Sequence, residues 1–133
     1  ETAIVMHQQR QTKQREVIES ILKQAERPLL PKELLDNAQQ SLPTIGIATV
    51  FRTLKKMVDE GKAKTVCLPG DSTRYERSDL GHHHHFKCQD CESVFEINGC
   101  PGHLEQLLPK GFQLTDHEIT LFGRCNHCAS HCS

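Results

Sequence analysis

Apolar positions in the first half of the chain repeat with a helical period. Val17, Ile18, Ile21, Leu22 and Ala25 fall at i, i+1, i+4, i+5 and i+8, one face of an amphipathic helix that Arg27-Pro28 ends. Pro31 opens a second helix with a face of Leu34, Leu35 and Ala38, since proline suits a first helical position. After a break at Ser41-Leu42-Pro43-Thr44, a third helix turns Ile47, Val50, Phe51, Leu54, Met57 and Val58 inward and stops at Gly61. TVCL and TRYE then read as two short strands around Pro69-Gly70-Asp71-Ser72, a hairpin with a longer turn. Further on, HFKC and VFEI alternate like strands, a short helix lies around Gly102–Leu108, and FQLTDHEITLFG reads as another strand. The pattern predicts an α+β fold. A winged-helix domain of three helices and a hairpin fills residues 1–77. A hinge follows at 78–81, then a small α/β domain with an antiparallel sheet over 82–133.

Composition adds a constraint. Only 36% of residues are hydrophobic and 5% aromatic, a thin core that calls for a metal, a disulfide or a partner subunit. Residues 1–66 hold one histidine and no cysteine, whereas the rest hold all seven cysteines and eight of the nine histidines. The second domain is therefore the metal lobe. No run approaches the roughly 18 apolar residues of a membrane span. ETAIVMHQQRQ at the start lacks the apolar core of a signal peptide. A cytoplasmic protein with no membrane partner is expected, and in that reducing compartment cysteines favour metal over disulfides.

With a net charge of −1, any nucleic-acid contact must use a local patch. The third helix supplies one in Thr49, Arg52, Thr53, Lys55 and Lys56, followed by Lys62 and Lys64. Arginine can pair with guanine and lysine can neutralise phosphate. The plain alternative is an ordinary solvated helix face.

Cys88-x-x-Cys91 and Cys125-x-x-Cys128 can present four thiolates tetrahedrally to a structural zinc ion, tying the start of the lobe to its end. The 33-residue gap between the pairs exceeds the roughly 15–20 of a simple zinc ribbon. Cys132 is an alternative to a member of the second pair, and Cys100 reads as a plain buried thiol. The run His82-His83-His84-His85, if extended, alternates between faces. It then forms two pincers: His83 and His85 on one side with Glu76 and Glu96, His82 and His84 on the other with His103 and His117. Imidazole with carboxylate suits zinc, iron, manganese or nickel. The bland alternative is a solvated histidine run.

The order IGIATVFRTL, TRYE, HHHHFKCQDC, LTDHEITLFGRCNHC resembles the ferric uptake regulator family of bacterial metal-sensing repressors, from about residue 10 to residue 128. The resemblance implies a homodimer with an N-terminal winged helix and a C-terminal dimerisation domain. Metal at the hinge would close it onto a palindromic double-stranded operator controlling metal uptake genes. It implies a structural zinc on Cys88, Cys91, Cys125 and Cys128, and a regulatory hinge site on Glu76, His83, His85 and Glu96. It implies a third site on His82, His84, His103 and His117, where the family often has two carboxylates. On the recognition helix, Phe51 stands where the family has tyrosine, beside Arg52. The family's iron and peroxide sensors usually place a histidine on the second helix, and Arg27-Pro28-Leu29-Leu30-Pro31 has none; His7 is too far upstream. Cys67 offers itself instead, on the hairpin face expected to carry Arg74 and Glu76. A thiolate there favours zinc as the regulatory ion, as in the zinc uptake branch, with ferrous iron or manganese as the alternative. The alternative for Cys67 is a small apolar hairpin residue.

Three rival functions follow. A ferrous-iron or peroxide sensor keeps the fold and changes the signal. A zinc-dependent interaction module would not bind DNA. A zinc hydrolase is disfavoured because the chain has no His-Glu-x-x-His and no evident nucleophile set.

Overall fold

The computed structural model describes residues 2–130, with side chains from residue 9 onward. Cys132 and the His7 side chain lie outside the described residues. The chain forms two compact units, Glu1–Leu80 and Gly81–Ser133.

The first unit contains α1 (Thr2–Ala25), α2 (Pro31–Ala38), α3 (Ile47–Asp59) and a hairpin of β1 (Ala63–Val66) and β2 (Arg74–Arg77). Ile18 and Leu22 of α1, Leu34 and Ala38 of α2, and Val50, Leu54 and Met57 of α3 are buried in one apolar cluster. Two residues expected to face inward do not: Ile47 is 41% exposed and Phe51 49%. Phe51 lies about a quarter turn from the centre of the Val50–Leu54–Met57 stripe, and Ile47 stands in the first turn. Gly61 ends α3 with φ +76°. Its N–H donates to Val58 O at 3.0 Å and that of Lys62 to Met57 O at 2.8 Å, a Schellman cap that needs a left-handed residue.

A buried arginine fastens the hairpin to α2. Arg74 is 2% exposed. Its Nε donates to Asp71 Oδ2 at 2.6 Å and its Nη1 to Glu33 Oε1 at 3.3 Å. Glu33 also accepts the Leu30 N–H at 3.0 Å, satisfying a donor at the start of α2. Leu29 and Tyr75 exchange backbone hydrogen bonds of 2.9 and 2.8 Å, which adds a third extended segment beside β2.

The second unit contains β3 (His84–Cys88), β4 (Val94–Ile97), a 3₁₀ turn (Leu104–Leu107), β5 (Thr120–Gly123) and α4 (Asn126–Ser130). The strand order is β4-β3-β5. β3 pairs β4 antiparallel, as expected, but β5 joins parallel to β3, so the sheet is mixed. Only the end of FQLTDHEITLFG pairs; the stretch before it crosses over the sheet and does not alternate along it. Cys88 and Val94 are the only buried apolar side chains among the described residues of this unit, against ten in the first unit's core.

Replacing Arg74 with alanine removes the buried cation beside Asp71, while Glu33 keeps its 2.9 Å pair with Arg27, and the loss should be about 3 kcal/mol. Urea unfolding followed by helical circular dichroism should show that loss for R74A. For R77A, which breaks the exposed Arg77–Asp79 pair, the midpoint should hardly move.

Candidate metal centres and nucleic-acid interface

One candidate centre is built where β3 ends and the chain after β5 returns. Ligand sulfurs of Cys88, Cys91, Cys125 and Cys128 all lie within 4.8 Å of one another. Cys91 and Cys125 sulfurs are 3.9 Å apart. A tetrahedral thiolate set around zinc has sulfur–sulfur edges of about 3.8 Å, given bonds near 2.3 Å, so the group fits the ion. The buried Cys88 sulfur accepts the N–H groups of Cys91 at 3.5 Å and Cys125 at 3.4 Å. These two amides hold its thiol down to about 6. The Ser93 hydroxyl lowers Cys91, whereas Cys128 is pushed up to about 12, chiefly by hydrogen bonding to Cys88. Two sulfurs are thus biased toward thiolate, the form a metal binds.

The histidine run divides as its alternation suggests, although β3 begins only at His84. His83 and His85 rings lie 4.8 Å apart between centroids, and His82 and His84 rings 4.6 Å. His83 Nδ1 is 2.8 Å from Gly81 O. A carbonyl only accepts, so Nδ1 carries the proton and Nε2 the lone pair, the tautomer of a metal-ligating imidazole. His85 is the cross-strand partner of Glu96, which places that carboxylate on the same face.

In the first unit, Glu76 is 1% exposed on β2, opposite Lys64, whose Nζ is 3.6 Å away. Cys67 is not on that face. Lys64 pairs with Glu76 and Val66 with Arg74, so the position after Val66 turns to the other side. The Cys67 sulfur lies 3.8 Å from the Thr73 hydroxyl. The expected alternation was one residue out of phase, and Cys67 leaves the ligand set.

A second cluster holds His82, His84, Cys100 and His117, with one ligand atom of each within 4.8 Å of the others. His117 Nε2 lies 3.1 Å from His82 Nε2 and 3.2 Å from the Cys100 sulfur. Ile119 N–H donates to His84 Nδ1 at 3.2 Å and fixes that ring. Burial, then the neighbouring His82 and His117, lower the His84 pKa and keep the ring neutral. His103, expected here, is not in the cluster. Its side chain is 80% exposed, with Nδ1 3.9 Å from Glu105. Cys100 is exposed and not the buried thiol expected. Its position before Pro101-Gly102 gave no spacing signal, because no second cysteine lies at ligand distance along the chain.

On α3, Phe51, Arg52, Lys55 and Lys56 are exposed and Thr49 is half-buried, its hydroxyl 3.1 Å from Arg52 Nη2. Gln11 and Arg15 of α1 line the same cleft as Arg52 and Lys56, an extension the sequence pattern did not single out.

Zinc binds thiolates, so loading the tetrad releases protons and its apparent zinc affinity should fall as the pH drops. Competition with a chromophoric chelator at about pH 6, 7 and 8 measures this, and an affinity independent of pH would contradict it.

Known proteins share this fold. The model of the Ferric uptake regulator family matches residues 6–122. A ferric uptake regulation protein of Campylobacter jejuni is 32% identical over 122 residues, 88% of this chain and 78% of its own. A zinc uptake regulation protein of Mycobacterium tuberculosis is 32% identical over 124 residues, 91% of this chain and 95% of its own. Among solved structures, the Helicobacter pylori ferric uptake regulator, described as having three functional metal binding sites, aligns with a TM-score of 0.74 at 26% identity. That alignment covers 91% of this chain and 83% of that one. A zinc-bound manganese uptake regulator aligns at 0.76 and 30% identity, covering 84% and 87%. With a winged helix, a dimerisation domain and these ligand clusters, the chain belongs to the ferric uptake regulator family of metal-responsive transcriptional regulators and is not an enzyme.

Proposed function

We propose that this protein is a homodimeric, zinc-responsive repressor of metal uptake genes that binds a palindromic operator. The cysteine tetrad holds a structural zinc. The sensing site uses His83, His85 and Glu96 from the dimerisation domain and Glu76 from the wing. The observation that supports this best is the division of four consecutive histidines into two ring pairs, directly ahead of a thiolate tetrad. A sensed ion must bind one conformation more tightly than the other, and ligands drawn from both domains supply that difference.

Dimer formation is supported by the exposed apolar side chains of the second domain, Leu107, Phe112, Leu114, Leu121 and Phe122. DNA contact is supported by the outward side of α3. There Phe51 can meet a thymine methyl, and Arg52, Lys55 and Lys56 can meet guanine and phosphate.

Zinc as the signal is supported by the sulfur and imidazole content of the dimerisation domain and by the zinc uptake relative. A second reading has its own observation. Without Cys67, the sensing set offers only nitrogen and oxygen, which suits ferrous iron or manganese as well.

Operator binding by fluorescence anisotropy, titrated with zinc, ferrous iron and manganese, separates the readings. Zinc should drive binding at the lowest free concentration. The H83A/H85A variant should need more than about 100-fold more zinc, since even an outer partner of a ligand is worth 10–100-fold. Unchanged zinc dependence in that variant would remove the sensing role from these residues.

On the DNA side, R52A should lose about 1–3 kcal/mol of operator affinity and discriminate less between sequences. K56A should weaken all duplexes alike and reduce the salt slope by about 1.

A further inference from the structure

The histidines on the other side of the run adjoin an unexpected sulfur. We infer that Cys100, and not His103, completes the cluster of His82, His84 and His117 as a three-imidazole, one-thiolate site selective for zinc over iron and manganese. This deepens the zinc-responsive reading by naming the ligands of a third ion site, and it rests on no residue of the sensing set.

The geometry of the cluster supports it. The four ligand atoms lie within 4.8 Å of one another, and two of the edges are 3.1 and 3.2 Å. A tetrahedral ion with nitrogen bonds of 2.0–2.1 Å has nitrogen–nitrogen edges of about 3.3 Å, so little movement is needed to fill the site. His84, 2% exposed, is the buried member of the cluster.

The backbone explains why the sulfur is close and His103 is not. Gly102 and His103 are consecutive left-handed residues, with φ of +65° and +53°. They reverse the chain just after Cys100, leaving His103 in solvent at the start of the 3₁₀ turn. A non-glycine residue in that conformation is uncommon and marks a turn the surrounding structure imposes.

Charge decides between the two candidates as well. Three neutral imidazoles and a fourth would leave the full +2 of the ion uncompensated at a site with a buried ring. A thiolate reduces it to +1. Sulfur with imidazole in tetrahedral geometry is a zinc donor set, whereas iron(II) and manganese favour oxygen and higher coordination.

Cobalt(II) tests this optically, because a cobalt–thiolate bond gives a near-ultraviolet charge-transfer band that imidazole and carboxylate do not. The full-length protein is used with zinc retained in the cysteine tetrad, and zinc content is checked after each titration. Wild type should develop the band together with tetrahedral visible bands. C100S, a change at an exposed position, should lose the charge-transfer band with tetrad zinc intact. H103A should keep it, as should H83A/H85A. A hundredfold excess of manganese should leave the band unchanged, and equimolar zinc should abolish it.

No band in wild type, a band surviving in C100S, or a band lost in H103A would overturn the assignment. So would a band displaced by manganese. Failure of the sensing proposal looks different: DNA binding indifferent to zinc, with the cobalt band unchanged.

Discussion

The second domain depends on its cysteine tetrad because it has little else to fold around. Cys88, Val94 and His84 are its only buried side chains among the described residues, and two of the three are metal-ligand types. Burying one valine and one cysteine yields a few kcal/mol at most. Ordering some fifty residues costs far more. The four sulfurs lie at ion-binding distance where the end of β3 meets the segment after β5, and Cys88 accepts amide hydrogen bonds from Cys91 and Cys125 on those two segments. The first domain needs no such staple, since ten buried apolar residues and the Arg74 network hold it.

That contrast gives the chain its division of labour. A self-sufficient winged helix presents Arg52, Lys55 and Lys56 whether or not an ion is present. The thin-cored domain holds the candidate ion ligands. Four consecutive histidines serve two purposes because extended backbone sends neighbours to opposite sides: His83 and His85 toward Glu96, His82 and His84 toward His117. One strand entrance thereby adjoins two groups of candidate ion ligands and leads into a third.

Much of this was legible in the sequence. Helical periodicity and the Pro31 and Gly61 punctuation set the helices, because the first domain obeys local rules with one apolar core. The two CxxC pairs announced the tetrad, since two thiol pairs at that spacing match a tetrahedral metal-ligand set. What was not legible depends on tertiary context. Phe51 and Ile47 are apolar, and periodicity cannot say that an apolar residue is kept outside. Cys67 was misplaced because turn length sets the hairpin register, and one residue of phase changes the face. His103 gave way to Cys100 through two left-handed residues that only the backbone reveals. The parallel entry of β5 depends on a crossover with almost no regular structure of its own.

The central claim is that bound metal, and not an apolar core, holds the dimerisation domain together. Hydrogen exchange of the full-length protein, zinc-loaded and then stripped with a strong chelator, tests it most directly. On stripping, the amides of β3, β4, β5 and α4 should lose protection while those of α1, α2 and α3 keep theirs. Retained protection across β3–β5 in zinc-free protein would contradict the account.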